Sequence, residues 1–315
     1  MASAGLICQG EAGRRYRLVR PLGTVRGKSC NVWLGLDDSK PDAEYIMKRP
    51  LADQNEESWS GALSAFKHEL EMQRLFAKDP MIRKLVDYVP ESEPSGLMMV
   101  LEAFTDSLWD ARNVRPFTTK EIKWIMKGVL LGIFTVHMKG LVYTDLKSRM
   151  LHLGVLIPRS RMRMSAIWLS DLQIVVLLAN HLPERSLLSH IEVLKFTLEN
   201  HGLRLAQLLQ AQVDFKSPGM YDSIQTGTLA EKGNVIRDQL AIDFDLSSVP
   251  FYAEDEQCAK FLPTPQPEEA YMWANTMIEK GVSGEDIQFL VEVLNPDPNA
   301  RLTVREILES GYLEV

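Results

Sequence analysis

The feature that most constrains the fold is an amphipathic helix predicted between Thr118 and Gly140. Thr118 and Glu121 have the spacing of a capping box, in which each side chain bonds the backbone N–H of the other residue. Behind them apolar residues recur every three or four positions: Ile122, Ile125, Met126, Val129, Leu130, Ile133 and Val136. Gly140 ends the pattern, as glycine commonly does after a helix. No other element is specified as firmly by the sequence.

The hundred residues before this helix carry mostly strand patterns. Runs of β-branched and aromatic residues predict strands at residues 16–22, 31–36, 44–48, 85–89 and 97–104. Between the third and fourth strands, Leu63, Phe66 and Leu70 form a partial apolar face that predicts a helix. The run LMMVLEAF at residues 97–104 is apolar almost throughout, which predicts a strand buried on both faces.

The remainder of the chain is predicted to be mostly helical. Helices are predicted at residues 187–213, 284–294 and 303–310. Thr303 and Glu306 form a second capping box at the start of the last one. Residues 222–256 are polar and predict irregular structure. A strand-rich first part followed by a helical part predicts an α+β protein of two lobes.

Composition excludes several classes of protein. The 315 residues include 35 basic and 42 acidic side chains, and this mildly acidic balance argues against a nucleic-acid-binding protein. The three cysteines lie far apart and no histidine pair has metal-ligand spacing, so neither a disulfide framework nor structural zinc is expected. No apolar stretch suits a signal peptide or a membrane span. We therefore expect no membrane partner and a reducing compartment, the cytoplasm or the nucleus.

The most informative segment is HMKGLVYTDLKSRMLHL at residues 137–153. It places Asp145 and Lys147 two positions apart, so in an extended loop both side chains would point toward the same side. Asp145 could accept a proton from a hydroxyl, and Lys147 could neutralise charge on a transferred group. Taken alone, an Asp-x-Lys pair is common and usually marks a solvated turn. The neighbouring segments therefore decide how the pair is interpreted.

The order of those segments resembles that of the protein kinase fold. The stretch YTDLKSRM is similar to the kinase catalytic loop, which implies that Asp145 is the base and that Lys147 contacts the transferring phosphate. Lys48, in the stretch YIMK, corresponds to the kinase strand lysine. Glu69 corresponds to the helix glutamate that pairs with this lysine, with Glu71 as the alternative in register.

Further matches extend the resemblance over roughly the whole chain. Glu102 and Phe104, after the apolar strand, lie where kinases have the hinge between lobes. Asp171, in the stretch DLQ after a strand at residues 166–169, corresponds to the metal-binding aspartate. The stretch LNPDPNARLT at residues 294–303 resembles the arginine-bearing turn near the end of many kinase domains.

The resemblance implies a nucleotide site. ATP would lie between an N-terminal lobe at residues 14–103 and a C-terminal lobe at residues 104–315, against Lys48 and beneath Leu22 and Val32. Asp171 would hold Mg²⁺. Phosphoryl transfer depends mostly on positioning and on neutralising phosphate charge, which these residue types provide.

Several positions depart from the kinase pattern. The loop at residues 23–32 has only two glycines at long spacing, so its backbone N–H groups are less able to approach phosphate. Met150 stands in place of an asparagine that binds metal, and a thioether is a poor ligand for Mg²⁺. Thr144 replaces the loop arginine, and Gln173 replaces a glycine. The stretch SPG at residues 217–219 replaces Ala-Pro-Glu, which removes the expected carboxylate partner of Arg301.

Two functions stay open at this point. The chain could be a divergent kinase acting on protein Ser or Thr, since the Asp-Leu-Lys form is that of Ser/Thr kinases. It could instead be a pseudokinase that serves as a binding or regulatory scaffold for a protein partner. Retention of Lys48, Glu69, Asp145 and Asp171 favours binding of nucleotide or metal, whereas the lost asparagine and glycines favour slow chemistry or none. A small-molecule phosphotransferase with a related two-lobe fold fits less well than either, because the C-terminal helices resemble those of protein kinases.

Overall fold

The computed structural model describes residues 2–22, 30–51, 56–104, 106–107, 115–143, 151–155, 164–169, 174–175, 224, 226–260, 262–263, 269–297 and 299–314. The chain divides into two compact units. The first comprises Met1–Ser107 and His152–Ile174, and the second comprises Leu108–Leu151 and Val175–Val315. The protein is α+β, because it contains both antiparallel sheet and helices.

The first unit is built on a six-stranded antiparallel sheet. Its strands are β1 (Ile7–Gln9), β2 (Arg15–Pro21), β3 (Val32–Asp37), β4 (Lys40–Lys48), β5 (Leu85–Val89) and β6 (Met98–Glu102). They are arranged in the order β1-β2-β3-β4-β6-β5. All five predicted strands are present, although β4 begins four residues earlier than predicted. Strand β1 was not predicted, because three residues are too few to show an alternating pattern.

Both faces of the sheet carry a hydrophobic core. One core comprises Cys8, Tyr16, Leu18, Trp33, Met47, Val89, Met98 and Val100. The other comprises Phe66, Leu70, Leu97, Met99 and Leu101. Phe66 and Leu70 belong to helix α1 (Glu56–Leu75), which therefore packs on the second face. Strand β6 contributes alternate residues to the two cores, which confirms the prediction that it is buried on both faces.

The sheet curls until the turn after β1 meets β5, the strand at the opposite edge. The Glu11 backbone N–H donates to the Tyr88 carbonyl at 2.8 Å. The buried carboxylate of Asp87 accepts the Ala12 backbone N–H at 3.2 Å and the Tyr16 hydroxyl at 3.0 Å. A Cβ atom at Gly10 would lie 2.1 Å from Asp87 Oδ2, so this close approach requires glycine. These contacts give the sheet the form of a half-barrel.

In the described residues, three two-residue strands and two longer ones follow β6. The strands are β7 (Asp106–Ser107), β8 (Val142–Tyr143), β9 (Leu151–Val155), β10 (Met164–Leu169) and β11 (Ile174–Val175). Strands β10, β9 and β7 form one small sheet, and β11 pairs with β8 in another. Strand β10 contains the strand predicted at residues 166–169.

The second unit contains the helix that the sequence specified most firmly. Helix α2 spans Thr119–His137, and both hydrogen bonds of its capping box between Thr118 and Glu121 are present. The seven apolar residues of the predicted face are all buried. Gly140 has a positive φ of 69°, which suits glycine at the end of a helix.

Helix α3 (Leu229–Asp243) corrects the prediction that residues 222–256 are irregular. It begins with a capping box between Thr228 and Glu231. Over its residues 231–243, the buried side chains lie in the last turn, at Leu240, Ala241 and Asp243. A stretch that buries one turn shows little apolar periodicity, and for this reason the pattern did not indicate the helix.

The remaining helices are short. They are a 3-10 turn at Leu246–Ser248 and helices α4 (Pro250–Ala253), α5 (Glu256–Ala259), α6 (Met272–Glu279), α7 (Gly284–Val293) and α8 (Val304–Glu309). Helices α7 and α8 confirm the two predicted near the end of the chain, including the capping box between Thr303 and Glu306. Arg301 binds the backbone carbonyls of Asn295 and Pro296 at 2.6 and 3.1 Å. The helix predicted at 187–213 lies outside the described residues, among which no helix is long and apolar enough to cross a membrane.

Candidate functional site

Lys48 and Glu69 form a shielded ion pair in the first unit. Lys48 is the last residue of β4, and Glu69 lies on the face of α1 that packs on the sheet. The Lys48 ammonium is 2.7 Å from Glu69 Oε1, and the side chains are only 15% and 11% exposed. Glu71, the alternative partner considered from the sequence, is exposed. The next residue, Leu70, is buried in the core formed with Met99 and Leu101 of β6.

Two further predicted site residues lie beside Lys48. The strand register places Val32 of β3 directly opposite Lys48. The Cβ atoms of such cross-strand partners are about 4.5–5.5 Å apart on one face of a sheet. The Leu22 backbone N–H donates to the Val32 carbonyl at 2.9 Å. Leu22, which follows β2, and Val32 are therefore neighbours, and we call this pair the apolar row. Leu22 is exposed and Val32 is half-buried, so this apolar row is open to solvent in part.

Gln73 is a buried polar residue that the sequence analysis missed. It lies one helical turn after Glu69, and thus on the same side of α1. Its side chain is fully buried, and neither polar atom has a hydrogen-bond partner in the described part of the chain. Such groups are rare in folded proteins because burying an unpaired amide is unfavourable. A polar residue within an apolar stripe was the only available sign in the sequence.

Glu102 and Phe104 lie farther along the sheet. The cross-strand partner of Glu102 is Tyr45 of β4. Tyr45 precedes Lys48 by three residues, so Glu102 lies about 10 Å from Lys48 along the strand direction. Arg83, a second residue missed from the sequence, donates from Nε to the Glu102 carbonyl at 2.8 Å. Its guanidinium carbon lies 5.1 Å from the centroid of the Phe104 ring. The segment that follows β6 is thus held by a buried arginine.

Asp145, Lys147 and Asp171 lie outside the described residues, so their predicted roles stay predictions. Asp145 follows the last residue of β8 by two positions, and Asp171 precedes the first residue of β11 by three. Strands β8 and β11 pair with each other.

The arrangement around Lys48 suits an anion next to an apolar group. A shielded ammonium can contact phosphate oxygens, and its glutamate partner fixes its position. The half-buried surface of Val32 suits a flat ring. In the described ranges, no cluster of three or more His, Cys, Asp or Glu side chains could hold a metal ion.

No protein-family model matches the chain, and no curated protein matches it.

Proposed function

We propose that the chain is a divergent, two-lobed protein kinase-like domain that binds ATP with Mg²⁺ and transfers a phosphoryl group to protein Ser or Thr. The observation that supports this most is the shielded ion pair of Lys48 and Glu69 beside the apolar row of Leu22 and Val32. A helix glutamate that holds a strand lysine is the arrangement used to place a cation on the α- and β-phosphates of ATP.

The environment of the ion pair supports a functional role. Removing two charges from water is costly, and apolar residues of similar size often replace a buried ion pair without loss of stability. An ion pair at this position therefore has no evident advantage for stability alone. A ligand that carries negative charge can contact the Lys48 ammonium, and the solvent-open side of Val32 gives such a ligand a place to bind.

In this proposal the chemical step depends on residues near β8 and β11. Asp145 accepts the proton of the substrate hydroxyl, and Lys147 contacts the phosphoryl group in transfer. The carboxylate of Asp171 suits Mg²⁺, which prefers oxygen ligands and neutralises phosphate charge when bound. Met150 is the chief departure, since its thioether suits this ion poorly.

An assay of phosphoryl transfer tests the proposal. The full chain is incubated with Mg²⁺, labelled ATP and a generic protein substrate. We expect incorporation of label by the wild type and none by Asp145→Asn. Asp238→Asn, on the exposed side of α3, is the matched control and should transfer label like the wild type. Equal transfer by Asp145→Asn and the wild type would rule out the assigned base.

Met150 favours one alternative, a pseudokinase that binds nucleotide and acts as a scaffold for a protein partner. It predicts that ATP raises the melting temperature of the wild type but not of Lys48→Ala, with no transfer by either. A substantial turnover rate would exclude this alternative.

A further inference from the structure

We propose that the open face of strands β1–β3 binds an acidic segment of another protein in an extended conformation. The centre of this surface is a row of three arginines on β2, and Ile7 and Leu36 lie beside it. We call these five residues the arginine face: Arg15, Arg17, Arg20, Ile7 and Leu36. Nucleotide binding is not required, because none of these residues has a role in the proposed phosphoryl transfer.

Strand β2 and the residue before it concentrate positive charge in an acidic protein. Residues 14–20 contain four arginines and no acidic residue. The whole chain, by contrast, has 42 acidic against 35 basic side chains. A local patch of one sign attracts a partner of the opposite sign and fixes where it binds. The charge of β2 therefore favours an acidic partner at this place.

A β-bulge brings all three arginines to one face of the sheet. Side chains alternate along a strand, so Arg15 and Arg17 point to the same face. Arg20 follows Arg17 by three positions and would ordinarily point to the other face. The register with β3 shifts just before Arg20, whereas Arg17 lies opposite Leu36. Arg20 lies opposite Leu34, which shares a face with Leu36. The three arginines are therefore in one row.

Helix α1 packs on the same face of the sheet but covers a different part of it. The cross-strand partner of Leu34 on β4 is Ile46, which packs against the core that α1 forms with β6. Within the described residues, no member of that core belongs to β1, β2 or β3. The part of the face that carries the arginines is thus left to solvent.

The exposed groups suit carboxylates that have apolar neighbours. Arg15 and Arg17 are 58% and 54% exposed, and Ile7, opposite Arg17 on β1, is 41% exposed. Guanidinium groups bind carboxylates in a fixed planar geometry. Alternate residues of a strand lie about 6.6–6.8 Å apart, so an extended segment with an acidic residue at every second position matches the row. The apolar surface of Ile7 favours a protein segment over a phosphodiester chain.

Asp38 competes for the same arginines. Its carboxylate pairs with Arg17 and lies 3.7 Å from the guanidinium of Arg15. Glu44 of β4 is farther away, because Leu36 of β3 separates it from Arg17 by a distance of about 10 Å across the strands. A bound acidic segment must share the arginines with Asp38. Removing the charge of Asp38 should therefore strengthen binding.

Fluorescence anisotropy of the full chain with a labelled peptide of alternating Glu and Thr tests the arginine face. We expect the triple variant Arg15→Gln/Arg17→Gln/Arg20→Gln to bind at least about tenfold more weakly than the wild type, because three exposed ion pairs are lost. Asp38→Asn should bind about threefold more tightly, which a loss of packing would not produce. Arg305→Gln removes an exposed, paired arginine of the second unit and should bind within about twofold of the wild type.

Several results would overturn the inference. A wild type that does not bind the peptide, or a triple variant that binds it as tightly as the wild type, would do so. Equal weakening by Arg305→Gln would assign the effect to net charge rather than to the arginine face. Oligothymidine and vesicles of equal parts phosphatidylcholine and phosphatidylserine test other anionic partners. Tighter binding of either one than of the peptide, lost in the triple variant, would overturn the choice of a protein segment.

Discussion

Lys48 and Glu69 lie 21 positions apart in the chain, and their side chains meet at 2.7 Å. A second lysine of the same unit, Lys67, lies at the same distance from Glu91. The first pair is 15% and 11% exposed and the second is 48% and 56% exposed. The two pairs share their distance and differ in their access to water. Lys67 is therefore a natural control for any effect attributed to Lys48.

Neutralising Glu69 should destabilise the protein. Glu69→Gln leaves the Lys48 ammonium in a poorly solvated position, and we expect the free energy of unfolding to fall by about 2 kcal/mol. Glu71→Gln changes an exposed residue of the same helix, and it should alter the free energy of unfolding by less than about 0.5 kcal/mol. Urea unfolding monitored by circular dichroism measures both. An equal loss in the two variants would contradict the shielded environment of Glu69.

Removing the Tyr16 hydroxyl should also lower stability. It donates to the buried carboxylate of Asp87, and burial together with this bond raises the pKa of Tyr16 above its ordinary value. Tyr16→Phe takes a donor from a buried acceptor, so we expect a loss of about 1–3 kcal/mol in the free energy of unfolding. The adjacent ring of Tyr45, 5.4 Å away, offers the control Tyr45→Phe, which should be close to neutral. Chemical denaturation distinguishes the two, and equal stability of Tyr16→Phe and the wild type would refute the role of the bond.

The capping box of α2 should make stability depend on pH. The hydrogen bonds from Arg115 and Thr118 lower the pKa of Glu121 to about 2. Because the pKa of Glu121 is lower in the folded state than its ordinary value of 4.5, its ionised carboxylate stabilises the fold at any pH above 4.5. This contribution is lost as the pH falls from 4.5 toward 2. At pH 7 we expect Glu121→Gln to be about 1 kcal/mol less stable than the wild type. The difference should shrink below pH 4.5 in unfolding curves measured across pH.

The exposed pair of Arg305 and Glu309 controls for general charge effects in that series. Glu309→Gln should differ little from the wild type at any pH, because exposed ion pairs contribute little. If the difference in the free energy of unfolding between Glu121→Gln and the wild type stays constant down to pH 2, the lowered pKa of Glu121 is contradicted.

The cap of α3 provides a test in the region where the sequence pattern indicated no helix. The Thr228 side chain accepts the Glu231 backbone N–H, so Thr228→Ala should reduce the free energy of unfolding by about 1 kcal/mol. Thr226, two residues earlier and exposed, gives the control Thr226→Ala, which should be neutral. Guanidinium denaturation compares the two variants, and a neutral Thr228→Ala would argue against this helix start.

The sequence predicted the elements whose signals are local. Thr118, Glu121 and Gly140 mark the two ends of α2 within the helix itself, and the apolar run of β6 indicates burial on both faces. Helix α3 was not predicted because burial over its residues 231–243 is confined to the last turn. Spacing along α1 could not distinguish Glu69 from Glu71, since only the packing of the helix on the sheet decides which faces Lys48.

Residues whose role depends on distant contacts were not predictable. Arg83 meets Glu102 across 19 positions, and neither residue type nor spacing indicates such a bond. Gln73 is notable only because packing removes it from water. The strand row of Leu22, Val32 and Lys48 was expected from resemblance to kinases, and the register shows that the three residues are neighbours.

Binding of ATP to the full chain, measured by calorimetry with and without Mg²⁺, tests the central proposal most directly. We expect the wild type and Lys67→Ala to bind alike, and Lys48→Ala to bind at least about tenfold more weakly, since a charged hydrogen bond is lost. No binding by the wild type, or equal binding by Lys48→Ala and the wild type, would contradict the proposed nucleotide site.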